Sequence, residues 1–201
     1  GLAPEIGWFA ETAIEANLAA GDYAKARTWL NFAASADAAT PGGAPGAGGR
    51  GSLSHWAALI DIADPAYPDA RGGSLAAVER MALSGRFSSD LLHRLATVLD
   101  ALDYQVPIPL WEAASRTPQP ATGHLPATGV LSQLQQAAAK KEFGRTVLLA
   151  MQTLGPDGAD RAHMIALGDA IRALRRAGLD KDARRLALEA LISSWPRATS
   201  S

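Results

Sequence analysis

Ala-Gly-Asp-Tyr-Ala-Lys-Ala-Arg-Thr-Trp-Leu-Asn-Phe-Ala-Ala-Ser-Ala-Asp, residues 20–37, decides how the rest of the chain is organised. Before it, Ile6, Phe9, Ala10, Ala13, Ile14 and Leu18 recur at three- and four-residue spacing, with Pro4 where a first-turn proline is tolerated. Gly21-Asp22 breaks that helix at about Ala20. Tyr23, Ala26, Trp29, Leu30, Ala33 and Ala34 then share one face of a second helix. Two helices joined by so short a turn make an antiparallel hairpin.

Weaker versions recur at Gly85, Lys141 and Gly178. Leu75, Val78, Met81 and Ala82 lead through Gly85-Arg86-Phe87 into Leu91, Leu92, Leu95, Val98, Leu99 and Leu102, with Asp90 where the small alanine stands in the first hairpin. Leu131, Leu134 and Ala138 lead through Lys141-Glu142-Phe143 into Val147, Leu148, Met151 and Leu154, the expected packed face of the third hairpin. Met164, Leu167, Ala170, Ile171 and Leu174 lead through Gly178-Leu179-Asp180 into Ala183, Leu186, Ala187, Ala190, Leu191 and Trp195, with Asp180 the expected cap of the last helix. Ser54 caps a short helix through Trp56, Leu59, Ile60 and Ala63 that ends before Pro65.

Two stretches lengthen the spacing. Residues 41–52, mostly Gly with Ala and Pro, have nothing to bury and read as a flexible insertion. They make a poor phosphate loop, because no strand precedes them and Arg50 stands alone among helical flanks. Residues 104–128 carry prolines at 107, 109, 118, 120 and 126, so they form a connector with at most a helical turn at Leu110–Ser115, anchored by Trp111. The turns at 21, 85, 141 and 178 are therefore 64, 56 and 37 residues apart.

Gly21-Asp22-Tyr23, Ala26, Trp29-Leu30, Ala33 and Asp37 resemble the turn and second helix of a tetratricopeptide repeat, and the last interval is close to that unit of about 34 residues. The pattern is departed from at Ile14, where the family has a small residue, and after Asp37, where the nearest proline is Pro41. The resemblance implies an all-α domain over 1–201, with hairpins at about 4–38, 54–103, 129–155 and 160–195 stacked as a short solenoid. It implies a non-catalytic scaffold that binds a protein along a concave or end surface.

Composition agrees with helices: Ala and Leu dominate, and aromatic residues are 6% of the chain. At 201 residues the chain can bury a real core, and with no cysteine it needs neither disulfide nor thiolate metal site. That fits cytoplasm or periplasm, the periplasm being preferred. The chain opens with Gly1, as a piece of a longer, bacterial protein would. Its longest nearly uncharged apolar run, Thr146–Leu154, is far below the roughly 20 residues needed to span a bilayer. Residues 1–139 carry 8 Lys/Arg against 13 Asp/Glu, and residues 140–201 carry 11 against 7, which allows self-association through opposite charge.

No reaction centre stands out. His55, His93, His124 and His163 lack a second ligand at helical spacing, so neither a metal nor another cofactor is expected. Glu11 and Glu15 fit a solvated helix face better than a catalytic pair. Leu125-Pro126-Ala127-Thr128-Gly129 matches the sortase cleavage pattern but runs into a helical domain, with Thr128 as the expected helix cap. Arg172, Arg175, Arg176, Lys181, Arg184 and Arg185 could form a basic patch, yet Asp180, Asp182 and Glu189 offset them and nucleic acid is not the expected partner. The candidate partner-binding residues are Trp8, Trp111 and Trp195, with Arg172, Arg176 and Arg184; Trp8 and Trp195 are the tryptophans expected to be exposed. Two other readings are an accessory domain of a larger cell-wall enzyme, and a small-molecule binder with a cleft under the connector lined by Trp56 or Trp111.

Overall fold

Each of the four expected turns closes on a residue held at positive φ: Gly21 at 75°, Gly85 at 72°, Lys141 at 56° and Gly178 at 92°. Each of these N–H groups donates to the carbonyl three residues back, and the next N–H donates to the carbonyl five back. The pairs are Gly21 to Leu18 with Asp22 to Asn17, Gly85 to Ala82 with Arg86 to Met81, Lys141 to Ala138 with Glu142 to Ala137, and Gly178 to Arg175 with Leu179 to Leu174. This double closure is the Schellman motif, which satisfies carbonyls that a helix end would otherwise leave open. Lys141 does without glycine, at a local cost of about 1–2 kcal/mol.

The computed structural model describes residues 9–38, 53–64, 66, 71–120 and 122–197. Among these the chain is all-helical: α1 Ala10–Ala19, α2 Tyr23–Ala38, α3 His55–Ala63, α4 Arg71–Leu83, α5 Ser89–Ala101, α6 Ile108–Ser115, α7 Thr128–Ala139, α8 Phe143–Leu154, α9 Met164–Ala177 and α10 Asp180–Ile192. None of these helices is long and apolar enough to cross a membrane. Trp8, the start of the first hairpin and the insertion 41–52 lie outside the described residues.

After Gly21, Lys141 and Gly178 the next helix starts two residues on, and the fifth residue is fully buried in each case: Ala26, Thr146 and Ala183, all 0% exposed. The twelfth, Ala33, Thr153 or Ala190, is buried as well. Small side chains at these two levels let neighbouring helix backbones approach. At Gly85 the connection is two residues longer, and Ser88 caps α5 by accepting the Leu91 N–H at 3.2 Å. Asp90 therefore does not occupy the small-residue position; it lies in the first turn of α5, bonded to Arg94 at 2.7 Å.

The chain divides into two compact units, residues 1–78 with 196–201 and residues 79–195. In the first, α1, α2 and α3 pack on one another around Ile14, Leu18, Ala26, Trp56 and Leu59. Trp56 is 1% exposed and donates its indole N–H to Glu11 at 2.9 Å, while Glu15 accepts from Arg197, so these carboxylates are not the solvated face expected of them. Arg27 on α2 reaches two buried carboxylates of the α3 end, Asp61 at 2.7 Å and Asp64 at 3.4 Å. The Lys25 N–H donates to the Asp22 side chain at 3.1 Å, which caps α2. Hydrogen bonding to Lys25 lowers the Asp22 carboxyl below its ordinary range, so this cap stays charged as pH falls until that lowered value is passed.

In the second unit α9 is the hub, packed against α5, α7, α8 and α10; α7 also packs on α8, and α5 on α6 and α10. Three expectations are corrected there. The proline connector contains an eight-residue helix, α6, because Pro107 and Pro109 sit at its start, where a missing N–H breaks no helical bond. Leu110 and Ala114, each 1% exposed and one turn apart, anchor that helix, and Trp111, rotated off their face, is 46% exposed. On α8 the packed face is Thr146, Leu149, Ala150, Thr153 and Leu154, whereas Phe143, Val147, Leu148 and Met151 face solvent. Two expected caps also differ. Ala127 occupies the N-cap of α7, with Thr128 already helical, and Leu179 that of α10, where Asp180 bonds Arg184 instead.

Replacing Ala26 by Glu buries a charge at a 0%-exposed crossing and should unfold the α1–α2 hairpin, a loss of at least about 3 kcal/mol. The exposed neighbour Ala24→Glu should change stability by less than about 0.5 kcal/mol. Thermal unfolding followed by circular dichroism separates the two, and equal midpoints for wild type and Ala26→Glu would refute the crossing.

Candidate functional site

In the second unit, glycine sets where α9 and α5 meet. A Cβ on Gly168 would stand 3.2 Å from Thr97 Cγ2 and 3.1 Å from an Arg172 nitrogen, so the two helices close up at that level. Above this contact α6 and the following connector leave a cleft of about 220 Å³. Its apolar wall is Trp111 of α6 with Met164 and Ile165 of α9, and its polar edge is Asp100, Asp169 and Arg172. Trp111 and Ile165 are about half exposed, at 46% and 50%.

The polar edge is held by ion pairs. Arg172 lies 2.5 Å from Asp100 on α5 and 3.3 Å from Asp169 on its own helix. With Arg172 and Asp100 each about half exposed, the Arg172–Asp100 pair contributes no more than about 1 kcal/mol, so its groups can exchange for a ligand's at little loss. The α9 end of the cleft is fixed by His163, whose Nδ1 accepts the Ile165 N–H at 3.2 Å. On the connector side His93 Nε2 lies 3.2 Å from Thr117 Oγ1, and Ser89 donates to the Pro118 carbonyl at 3.3 Å.

Two buried arginines pin the irregular segments nearby. Arg94, 5% exposed, donates through Nη1 to the Ala159 carbonyl at 2.9 Å and through Nη2 to that of Ala162 at 3.3 Å, fastening the 3-10 turn Ala159–Arg161 to α5. Arg184, also 5% exposed, donates to Asp180 at 2.8 Å and to the Tyr104 hydroxyl at 3.1 Å, fastening the start of the connector to α10. Burial opposes the charge on Arg184, but the Asp180 and Tyr104 bonds outweigh it and raise its pKa above the ordinary arginine range. The far end of the connector is held by close approach: a Cβ on Gly123, at φ 109°, would fall 2.5 Å from the His163 nitrogen, and one on Gly155 2.5 Å from the His124 ring.

The candidates named from sequence therefore separate. Trp111 and Arg172 meet in the cleft, which lies under the connector as expected, but without Trp56, a core residue of the first unit. Arg176 is exposed and does not line it. Arg184 is buried, so it is no part of a basic surface, and Arg175 is committed to Asp103 at 2.7 Å and the Ala101 carbonyl at 3.1 Å. Trp195, expected to be exposed, is 3% exposed and packs on Phe87 with ring centroids 5.7 Å apart. Asp100, Ile165 and Gly168 were not singled out by sequence; Asp169–Arg172 is a legible i,i+3 pair, but Asp100 lies 72 positions from its partner. Among the described residues no group of three His, Asp or Glu side chains converges as a metal site. No protein-family model, curated protein or solved structure matches the chain.

Arg94→Leu removes the donors to two buried carbonyls and should destabilise the protein by about 2–4 kcal/mol, while Asp90→Asn, at the exposed end of the same pair, should lose under about 1 kcal/mol. Denaturant midpoints of the two variants check the ordering.

Proposed function

We propose that the chain is a non-catalytic protein-interaction scaffold of tetratricopeptide-like type. The repeat reading is supported by the shared bonds of the turns at Gly21, Lys141 and Gly178, with small buried residues five and twelve positions on. It is also supported by the packing of α7 on α8, α9 on both, and α10 on α9, the neighbour contacts of stacked hairpins. The binding reading rests on one observation: Trp111 and Ile165 stay half exposed side by side in a formed cleft edged by an exchangeable ion pair.

The cleft's size favours a protein over a small molecule. At about 220 Å³ it is smaller than the roughly 300–1,000 Å³ of pockets that enclose drug-sized ligands. It fits one or two apolar side chains of a partner, with an acidic or basic neighbour meeting Arg172 or Asp100. Half-exposed tryptophan beside arginine is the composition of an interface hot spot.

Peptides selected from a random library on the intact protein should bind Trp111→Ala at least about tenfold more weakly, with the thermal midpoint unchanged because Trp111 is 46% exposed. Titration calorimetry on both proteins measures it. Selected peptides that bind the variant as well as the wild type would place binding elsewhere and refute the cleft.

A further inference from the structure

Five outward positions on one arc of α8 are apolar or bare, Phe143, Gly144, Val147, Leu148 and Met151, bordered by exposed Arg145 and Gln152. The four large apolar side chains of that arc are 53%, 36%, 69% and 63% exposed in that order. None lines the cleft. Gly144 is part of this stripe, and a Cβ there would meet nothing within 4 Å. Gly144 is the second residue of α8, in its first turn, and no contact among the described residues requires glycine there. A bare position amid exposed large apolar side chains leaves room for a side chain from another helix.

We propose that the outer face of α8 is a self-association surface, on which a second copy of the chain docks its own α8 antiparallel across a two-fold axis. With the axis between Val147 and Leu148, Gly144 of each copy faces the partner's Met151, so the room and the side chain that enters it are supplied by the same helix. Charge fits that direction: Lys140 and Lys141 are exposed just before α8, and Asp157 is exposed just after it. Antiparallel docking sets the lysines of one copy beside the partner's Asp157, and opposes the helix dipoles favourably, whereas parallel docking stacks lysine on lysine. The stripe presents on the order of 400 Å² per copy, within the roughly 300–600 Å² of a monomer's largest apolar patch, which is often functional. Two such faces cover about 800 Å² of apolar surface, below the roughly 1,200 Å² of stable specific interfaces, which makes the dimer weak, reversible and concentration-dependent. This interface is additional to the partner cleft and stands or falls separately from it.

Sedimentation velocity of the whole 201-residue chain, from micromolar to near-millimolar concentration, tests it. The wild type should pass from monomer to dimer, and Leu148→Glu should remain monomeric with unchanged helical circular dichroism. Gly144→Leu should weaken dimerisation at least about tenfold while leaving the monomer's thermal midpoint equal or higher, because leucine is the better helix former. Lys141→Glu should weaken the dimer, and adding Asp157→Lys to it should restore it. A wild type that stays monomeric throughout, a dimer unaffected by Leu148→Glu, or a monomer whose α8 face instead binds vesicles of anionic lipid would each overturn the proposal.

Discussion

One backbone state, a single residue at positive φ closing the helix before each of the four turns, governs the hairpins. With Gly21, Lys141 or Gly178 in the left-handed region, the chain reverses in two residues, and the next helix begins at a fixed angle and register. That register decides which residue lies at the tightest crossing, and Ala26, Thr146 and Ala183 are there, each fully buried. Where the connection is two residues longer, after Gly85, the register slips with it: the first turn of α5 carries Asp90, and the helix packs with leucines instead. Lys141 accepts the same conformation without glycine because two turn bonds and the packing below it oppose the strain.

Irregular segments in such a helical body need other fastenings, since they have no ladder of their own. In the second unit buried arginines supply them. Arg94 gathers the carbonyls of the 3-10 turn, and Arg184 the Tyr104 hydroxyl, each from one turn beyond an aspartate that keeps its guanidinium oriented. A guanidinium suits this because its planar fork offers several donors at fixed angles, and it stays charged when buried. Gly123 and Gly155 do the complementary work by bareness, letting the connector lie against the 161–163 backbone and the His124 ring against the end of α8.

The turns and most helices were legible because their signals are local. Gly21, Gly85 and Gly178, and the apolar spacing of α5, α9 and α10, can be read within one or two turns. What failed depended on distance or on symmetry. Trp195 and Arg184 are buried by Phe87 and Tyr104, the latter 80 positions away, and no spacing rule reaches that far. The prolines of α6 act as helix starters only in the right position, which a breaker rule does not distinguish. Half of the cleft was visible as single candidates, Trp111 and Arg172, but their meeting depends on α9 closing on α5 at Gly168. On α8 apolar residues lie on both faces, and spacing does not distinguish the inner one, which is the face with the smaller side chains Thr146, Ala150 and Thr153.

Close packing of this kind has a further consequence. Where helices pack through alanine, threonine and glycine, the crossing is close and the inner face is filled by backbone and small side chains. Some large apolar residues on the same helices are then left outside, as Phe143, Leu148 and Met151 are on α8 and Ile165 is on α9, while Leu149 and Leu154 still pack within. In an alanine-rich bundle, close packing and exposed apolar surface are therefore two results of one choice. Such surface is costly to leave in water when it is contiguous, and association is the one process that relieves it without changing the fold. The small residues that bring these helices close thus also leave large apolar side chains at the surface.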